Sequence, residues 1–494
     1  MTLRTAALLA ALLAPAAAAQ SLLDRVEPTV TTFTLDNGLT FVVARRPDAP
    51  VVTFYTYADV GSVDEPAGQT GIAHVFEHMA FKGTTTLGTR DLPAELAALD
   101  AEDAAFLALR DARRRGVPAA EIARLDSAFV AHRDSAKALA ETAAFDTILS
   151  RHGAVGMNAS TSADRTDYFY SLPANRLELW FNTESDRFLN PVQREFYQER
   201  DVVMEERRMR TESNPIGRLV EEFLAAAFKA HPYGWPTVGH MSDLQALSRD
   251  DAEVFFARYY GLSNLTIAIV GDVDPVEVRA LADRYFGPAP RVPRPEGVRT
   301  VEPPQAGERR VTVEDRAQPV ALVGYHRPAA SHPDHAAYGV LEDVLAGGRT
   351  GRLYRALVEA RLAVYADAFS GFPGEKYPHL LALYLVPAPG VSTDSLEAAA
   401  YRVLDEVATG GITPEELARA QARARSGLVG AMESSTGLAR VLARAQALRG
   451  DWRAAFRDLD AVSAVTAADV QRVAAATFRP SNRTVAVLRP PSDL

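Results

Sequence analysis

Short alternations of apolar and polar positions mark strands at residues 30–35, 40–44 and 51–60. Asp36-Asn37-Gly38 sits between the first two and reads as a tight hairpin turn. Longer stretches with helical spacing follow. Residues 92–142 are dense in Ala, Leu, Glu, Asp and Arg and break at Gly116-Val117-Pro118, which predicts two helices joined as a hairpin. Residues 247–271 align without gaps on residues 465–489, 218 positions later. In each copy a capping residue, Ser248 or Thr466, opens a helical stretch that turns into an alternating strand. Ser263-Asn264-x-Thr266 falls on Ser481-Asn482-x-Thr484. Helix, turn and strand recurring in one order imply a duplicated chain.

Between the copies, residues 287–307 hold six prolines and predict an extended linker. This divides the chain into a first half at 28–286, with the helical insert at about 92–142, and a second half at 308–494. The mixture of strands and long amphipathic helices predicts an α+β fold. Each half is expected to be a mainly antiparallel sheet with helices on one face.

Composition narrows the function. The 494 residues suggest about three domains by size alone. A net charge of −10 argues against a nucleic-acid binder. The absence of cysteine removes disulfides, thiolate metal sites, thiol nucleophiles and lipid anchoring through an N-terminal cysteine. Arg4, the apolar run at 7–13 and the small residues at 16–19 read as a signal peptide, residues 1–19, cleaved before Gln20. No later stretch has the length of a membrane helix, so the expected location is periplasmic or secreted.

The chemistry concentrates at residues 70–81, an apolar stretch carrying His74, Glu77 and His78. On a helix the two histidines stand one turn apart and point the same way, so both can hold one Zn²⁺. Glu77 can then accept a proton from water. Left unpaired, three such groups on an oily helix would cost several kcal/mol. A third ligand must come from elsewhere, and residues 199–206 are the best source. Glu199 and Glu206 lie 20° short of two full turns apart, on one stripe with Val202 and Val203, while Glu205 points away. The competing reading is a charged surface helix whose glutamates pair with arginines.

His74-Val75-Phe76-Glu77-His78, with Met79 to Thr84 after it, resembles the inverted zinc motif of the pitrilysin/insulinase metallopeptidases, the inverzincins of type M16. Three more stretches agree in order. Gly156 to Asp164 resembles the family's substrate-edge strand, Glu199 to Glu206 its glutamate helix, and His231-Pro232-Tyr233-Gly234 with Gly239 a further signature. The duplicated halves and their linker also fit. The resemblance implies one Zn²⁺ per chain held by His74, His78 and Glu206, with Glu77 activating water and Glu199 supporting the site from behind the ligands. Asn158 and Ala159 would bind an extended peptide backbone by strand addition, and the two homologous halves would face each other across a cavity that they enclose. The implied function is a zinc endopeptidase acting on peptides or unfolded polypeptide.

Two departures stand out. His78 and Glu206 are 128 residues apart, longer than is usual in the family, and the helical insert accounts for it. The family's second half supplies an Arg and a Tyr seven residues apart. Here Tyr365 aligns, but Val358 stands where the arginine is expected, and helical spacing turns Arg355 and Arg361 elsewhere. The second half is therefore read as an incomplete partner, with a second copy or a homologous chain supplying the pair. The alternative function is a non-catalytic scaffold or assembly subunit on the same fold, but such members lose His or Glu from the motif. Zinc storage would need neither the motif geometry nor an edge strand.

Overall fold

The computed structural model describes residues 22–491, so the segment read as a signal peptide lies outside the described residues. Among the described residues, eleven strands form two sheets. The first contains β1 (Val30–Thr34), β2 (Thr40–Arg45), β3 (Val51–Ala58), β4 (Val155–Thr161), β5 (Thr166–Pro173) and β6 (Leu265–Gly271). The second contains β7 (Arg309–Glu314), β8 (Val320–Arg327), β9 (Ala363–Phe372), β10 (His379–Pro387) and β11 (Arg483–Arg489). The orders are β1-β2-β6-β3-β5-β4 and β7-β11-β8-β10-β9. With β1 set aside, each half follows the same path: its first strand pairs in parallel with its last, and the other neighbours are antiparallel. The fold is α+β in two matching halves.

The turn between β1 and β2 shows how local sequence dictates this. Gly38 adopts φ +95°, and a Cβ there would lie 2.7 Å from the Ser263 Cβ, so only glycine fits. Asn37 Oδ1 accepts from the Leu39 N–H at 3.1 Å, and its amide donates to the Phe286 carbonyl at 2.8 Å. The repeat is equally explicit. Helices Arg249–Tyr259 and Ala467–Thr477 each open on a capping box, Ser248 with Asp251 and Thr466 with Asp469. Asn264 donates to the Tyr259 and Asp59 carbonyls, and Asn482 to those of Thr477 and His326. In both copies the shared asparagine clasps the helix end to the neighbouring strand, which is why Ser-Asn-x-Thr recurs.

Strand β6 is buried along its whole length and β8 at every residue but His326, because helices cover both faces of each sheet. The helices of its own half cover one face. A helix from the other half covers the opposite face. Helix Pro215–Ala227 sets Leu219, Phe223 and Leu224 against Val320, Leu322, Leu380 and Ala486 of the second sheet. Helix Ser435–Arg449 sets Leu438, Leu442 and Ala443 against Val42, Tyr55, Tyr57 and Val270 of the first. The exchange is reciprocal.

Residues 290–306 carry no helix or strand but are docked rather than loose. Glu302 accepts backbone N–H groups from Lys229, Ala230 and His231, and Arg294 pairs with Asp59. Helices Leu92–Arg115 and Ala119–Leu139 pack side by side, with Gly116 at φ +64° closing the first. Among the described residues no helix is long and apolar enough to cross a membrane.

Candidate metal centre

Helix Ile72–Met79 carries the motif. It starts at Gly71, φ +92°, where the buried Glu65 carboxylate accepts the N–H groups of Gly71 and Ala73. The two carboxylate oxygens thereby satisfy N–H groups at the helix start that have no partner within the helix. The helix lies on Phe255, Phe256 and Tyr260 through Phe76 and against strand β4. This packing leaves His74 and His78 facing helix Phe196–Arg207, with the Glu77 charge acting on both rings.

Across from the motif, Glu206 Oε1 is 3.6 Å from His74 Nε2, and Glu206 Oε2 is 3.5 Å from His78 Nε2. One donor atom from each of the three residues lies within 4.8 Å of the others. These separations are long for hydrogen bonds. They suit donors sharing one ion, since a tetrahedral Zn²⁺ with bonds of about 2.0–2.2 Å spaces its ligands about 3.3–3.6 Å apart. Two imidazole nitrogens and a carboxylate oxygen are also the donor set of hydrolytic zinc sites. Burial holds His74 below the ordinary histidine value, against the pull of Glu206, which favours the neutral ring that ligation needs. His74 Nδ1 is buried without a hydrogen-bond partner among the described residues.

Glu199 lies behind His78, its Oε2 3.4 Å from Nδ1, and its Oε1 2.6 Å from Lys82 Nζ. The Glu199 contact raises the His78 pKa. Burial pushes Glu199 up, but the His78 and Lys82 bonds outweigh it and leave the carboxyl below its usual range. Glu77 makes no ion pair or hydrogen bond with another described residue, so its carboxylate is free for water. Glu205 points outward and pairs with Arg208 at 2.7 Å.

The helix phase differs in one respect from the sequence expectation. The buried stripe runs through Tyr197, Arg200, Val203 and Arg207. Glu199, Val202 and Glu206 form the neighbouring stripe, and Val202 is 49% exposed between the two glutamates. The helix continues as a π-turn at Arg208–Glu212, and Arg210 reaches back to Glu206 Oε1 at 2.5 Å. The Arg210 and Arg208 contacts are the glutamate–arginine pairs of the competing reading, whereas Lys82 was not anticipated. Lys82 carried a faint signal, a charged residue among apolar and small ones just past the motif.

Strand β4, with Asn158 and Ala159, is the outermost strand of the first sheet. Asn158 Oδ1 accepts the N–H of Ala159 at 2.9 Å. Tyr365 is the third residue of β9, the outer strand of the second sheet, is 50% exposed, and donates to Asp367 at 2.9 Å. Val358 lies in a π-turn at Tyr354–Glu359.

The remaining signature residues build the frame. Gly239 approaches the motif helix so closely that a Cβ would lie 2.4 Å from the Thr70 carbonyl. Tyr233 donates its hydroxyl to Asp164, which also accepts the N–H groups of Glu375 and Lys376 from the second half.

The chain is similar to known peptidases in sequence and in fold. Residues 40–110 match the family described as Insulinase (Peptidase family M16), and residues 246–424 match Peptidase M16 inactive domain. The chain is 29% identical over 489 residues to the zinc protease PqqE of Helicobacter pylori, covering 96% of this chain and 94% of that protein. It is 27% identical over 451 residues to an uncharacterized zinc protease of Mycobacterium leprae, covering 89% and 87%. A protease crystal structure from Helicobacter pylori superposes with TM-score 0.77 at 25% identity, covering 93% of this chain and 99% of that one. The periplasmic protease PqqL of Escherichia coli shares the fold with TM-score 0.70 at 17% identity, covering 95% of this chain and 48% of that one.

Proposed function

The chain belongs to the insulinase family of peptidases, family M16, and on that premise we propose that it is an exported zinc endopeptidase cleaving peptides or unfolded polypeptide segments. The observation that carries this reading is the convergence of His74, His78 and Glu206 beside an unpaired Glu77. All four lie outside the segment matching the inactive domain.

His74, His78 and Glu206 would hold zinc, which when bound supplies Lewis-acid chemistry, acidifying water to a pKa near 7 and polarising a carbonyl. Glu77 takes the proton from the attacking water at its carboxylate and passes it toward the leaving amine. Glu199 accepts from His78 Nδ1–H and fixes the ring so that Nε2 faces Glu206. Strand β4 offers its free edge, at Asn158 and Ala159, to an extended peptide, and the Asn158 side chain turns away from the Ala159 N–H as the peptide binds. Folded proteins present no such strand and are poor substrates. A second copy or a homologous chain completes the oxyanion side where Val358 replaces arginine and Tyr365 faces solvent. The likeness to a periplasmic protease and the reading of residues 1–19 as a signal support a periplasmic location.

The test is Glu77→Gln in the purified chain with an unfolded peptide substrate. Zinc content stays at one per chain, and kcat falls by at least ~10²–10⁴-fold. Retained cleavage, or cleavage insensitive to a chelator in the parent protein, refutes the reading.

A further inference from the structure

Lys82 follows the motif helix and is held on two sides. Its main chain is fixed by Arg194, whose guanidinium donates to the carbonyls of Lys82, Thr84 and Leu87 at 3.1, 2.7 and 2.9 Å. Arg194 is itself buried and doubly bonded to Glu95, on the first helix of the insert. The Lys82 side chain reaches Glu199 Oε1 at 2.6 Å and Glu195 Oε2 at 3.3 Å. Glu195 caps the glutamate helix at φ +58°, a conformation uncommon for a residue with a side chain. Its other oxygen accepts the Thr142 hydroxyl at 3.1 Å, just beyond the second insert helix.

Both ends of the insert therefore converge on Lys82, and Lys82 converges on Glu199. A glutamate has three rotatable bonds, and one contact at 3.4 Å to His78 does not hold it still. A second anchor on the opposite oxygen does. We propose that Lys82 is a positioning residue that locks Glu199 against His78 Nδ1, and that Glu95–Arg194 and Thr142–Glu195 make the helical insert the support on which Lys82 stands. The proposal rests on the zinc reading above. It gives the insert a task in the same half as the site: it stiffens the carboxylate that orients a metal ligand.

The experiment measures zinc affinity by chelator competition, with kcat and KM on an unfolded peptide, for Lys82→Met, Lys82→Arg, Glu199→Gln and the Lys82→Met/Glu199→Gln pair. Lys82→Met weakens zinc binding ~10–100-fold and lowers kcat, with KM little changed. Lys82→Arg restores most of the loss. In the Glu199→Gln background Lys82→Met costs nothing more, because the group it positions is gone. Zinc-free melting is the same for all four. The proposal falls if Lys82→Met binds zinc and turns over like the parent, or loses as much in the Glu199→Gln background. A parent chain that binds no zinc overturns both readings, whereas a zinc-binding parent with an unaffected Lys82→Met overturns this one alone.

Discussion

Phe223 belongs by sequence to the first half, yet its ring is fully buried against the second sheet. It stacks on Phe372 at 6.3 Å and lies over Gly324, where a Cβ would meet the Phe223 Cζ at 2.5 Å. Phe223→Ala removes the ring from a site with no room to collapse, and such deletions cost about 3–5 kcal/mol. If the helix stabilises the opposite half, that loss appears in amide exchange of β8, β10 and β11. At about 1.4 kcal/mol per tenfold, their globally protected amides exchange roughly 100- to 4,000-fold faster. The close approach supplies an internal control. Gly324→Ala alone overpacks the same spot and costs about 1–3 kcal/mol. In the Phe223→Ala background most of that cost vanishes, leaving only the tight Leu380 contact at 3.2 Å. Hydrogen-exchange mass spectrometry and urea melts of the four proteins decide it. Faster exchange confined to β2, β3 and β6, or strictly additive losses, refutes the exchanged packing.

Glu206→Gln releases zinc while Glu205→Gln does not, checked by metal analysis after dialysis, because Glu206 faces the histidines and Glu205 pairs with Arg208. Glu95→Ala leaves the buried Arg194 charge without its carboxylate and destabilises the chain by about 3–5 kcal/mol, read from denaturant melts. Gly239→Ala forces a Cβ into the Thr70 carbonyl at φ +83°, so it weakens zinc binding at a distance as well as stability. Burial pushes Asp64 up to about 7, so the folded state binds its proton more tightly than the unfolded chain. That stability is complete below about pH 4 and is lost as pH rises through 7. Asp64→Asn removes this slope, and a variant whose urea midpoint falls with pH as steeply as the parent's contradicts the account.

What could be read from the chain alone is what repeats within a few residues. One helical turn puts His74 and His78 on one face whatever surrounds them, and a capping box with Ser-Asn-x-Thr specifies the same helix, turn and strand at 248–270 and 466–488. The duplication then implied two halves of one topology. Three things came only with the assembled molecule. Val202 and Val203 look alike in a helical projection, but which is covered depends on where the motif helix and insert stand. Lys82, Arg194 and Glu95 are separate charges in the chain until the fold closes loops of about 100 residues between them. The reciprocal crossing of Pro215–Ala227 and Ser435–Arg449 leaves no periodic trace, since an amphipathic helix records that it has a buried face but not whose sheet covers it. Local spacing is written in backbone geometry. Partnership across the fold is settled by which apolar surfaces find each other when water is excluded.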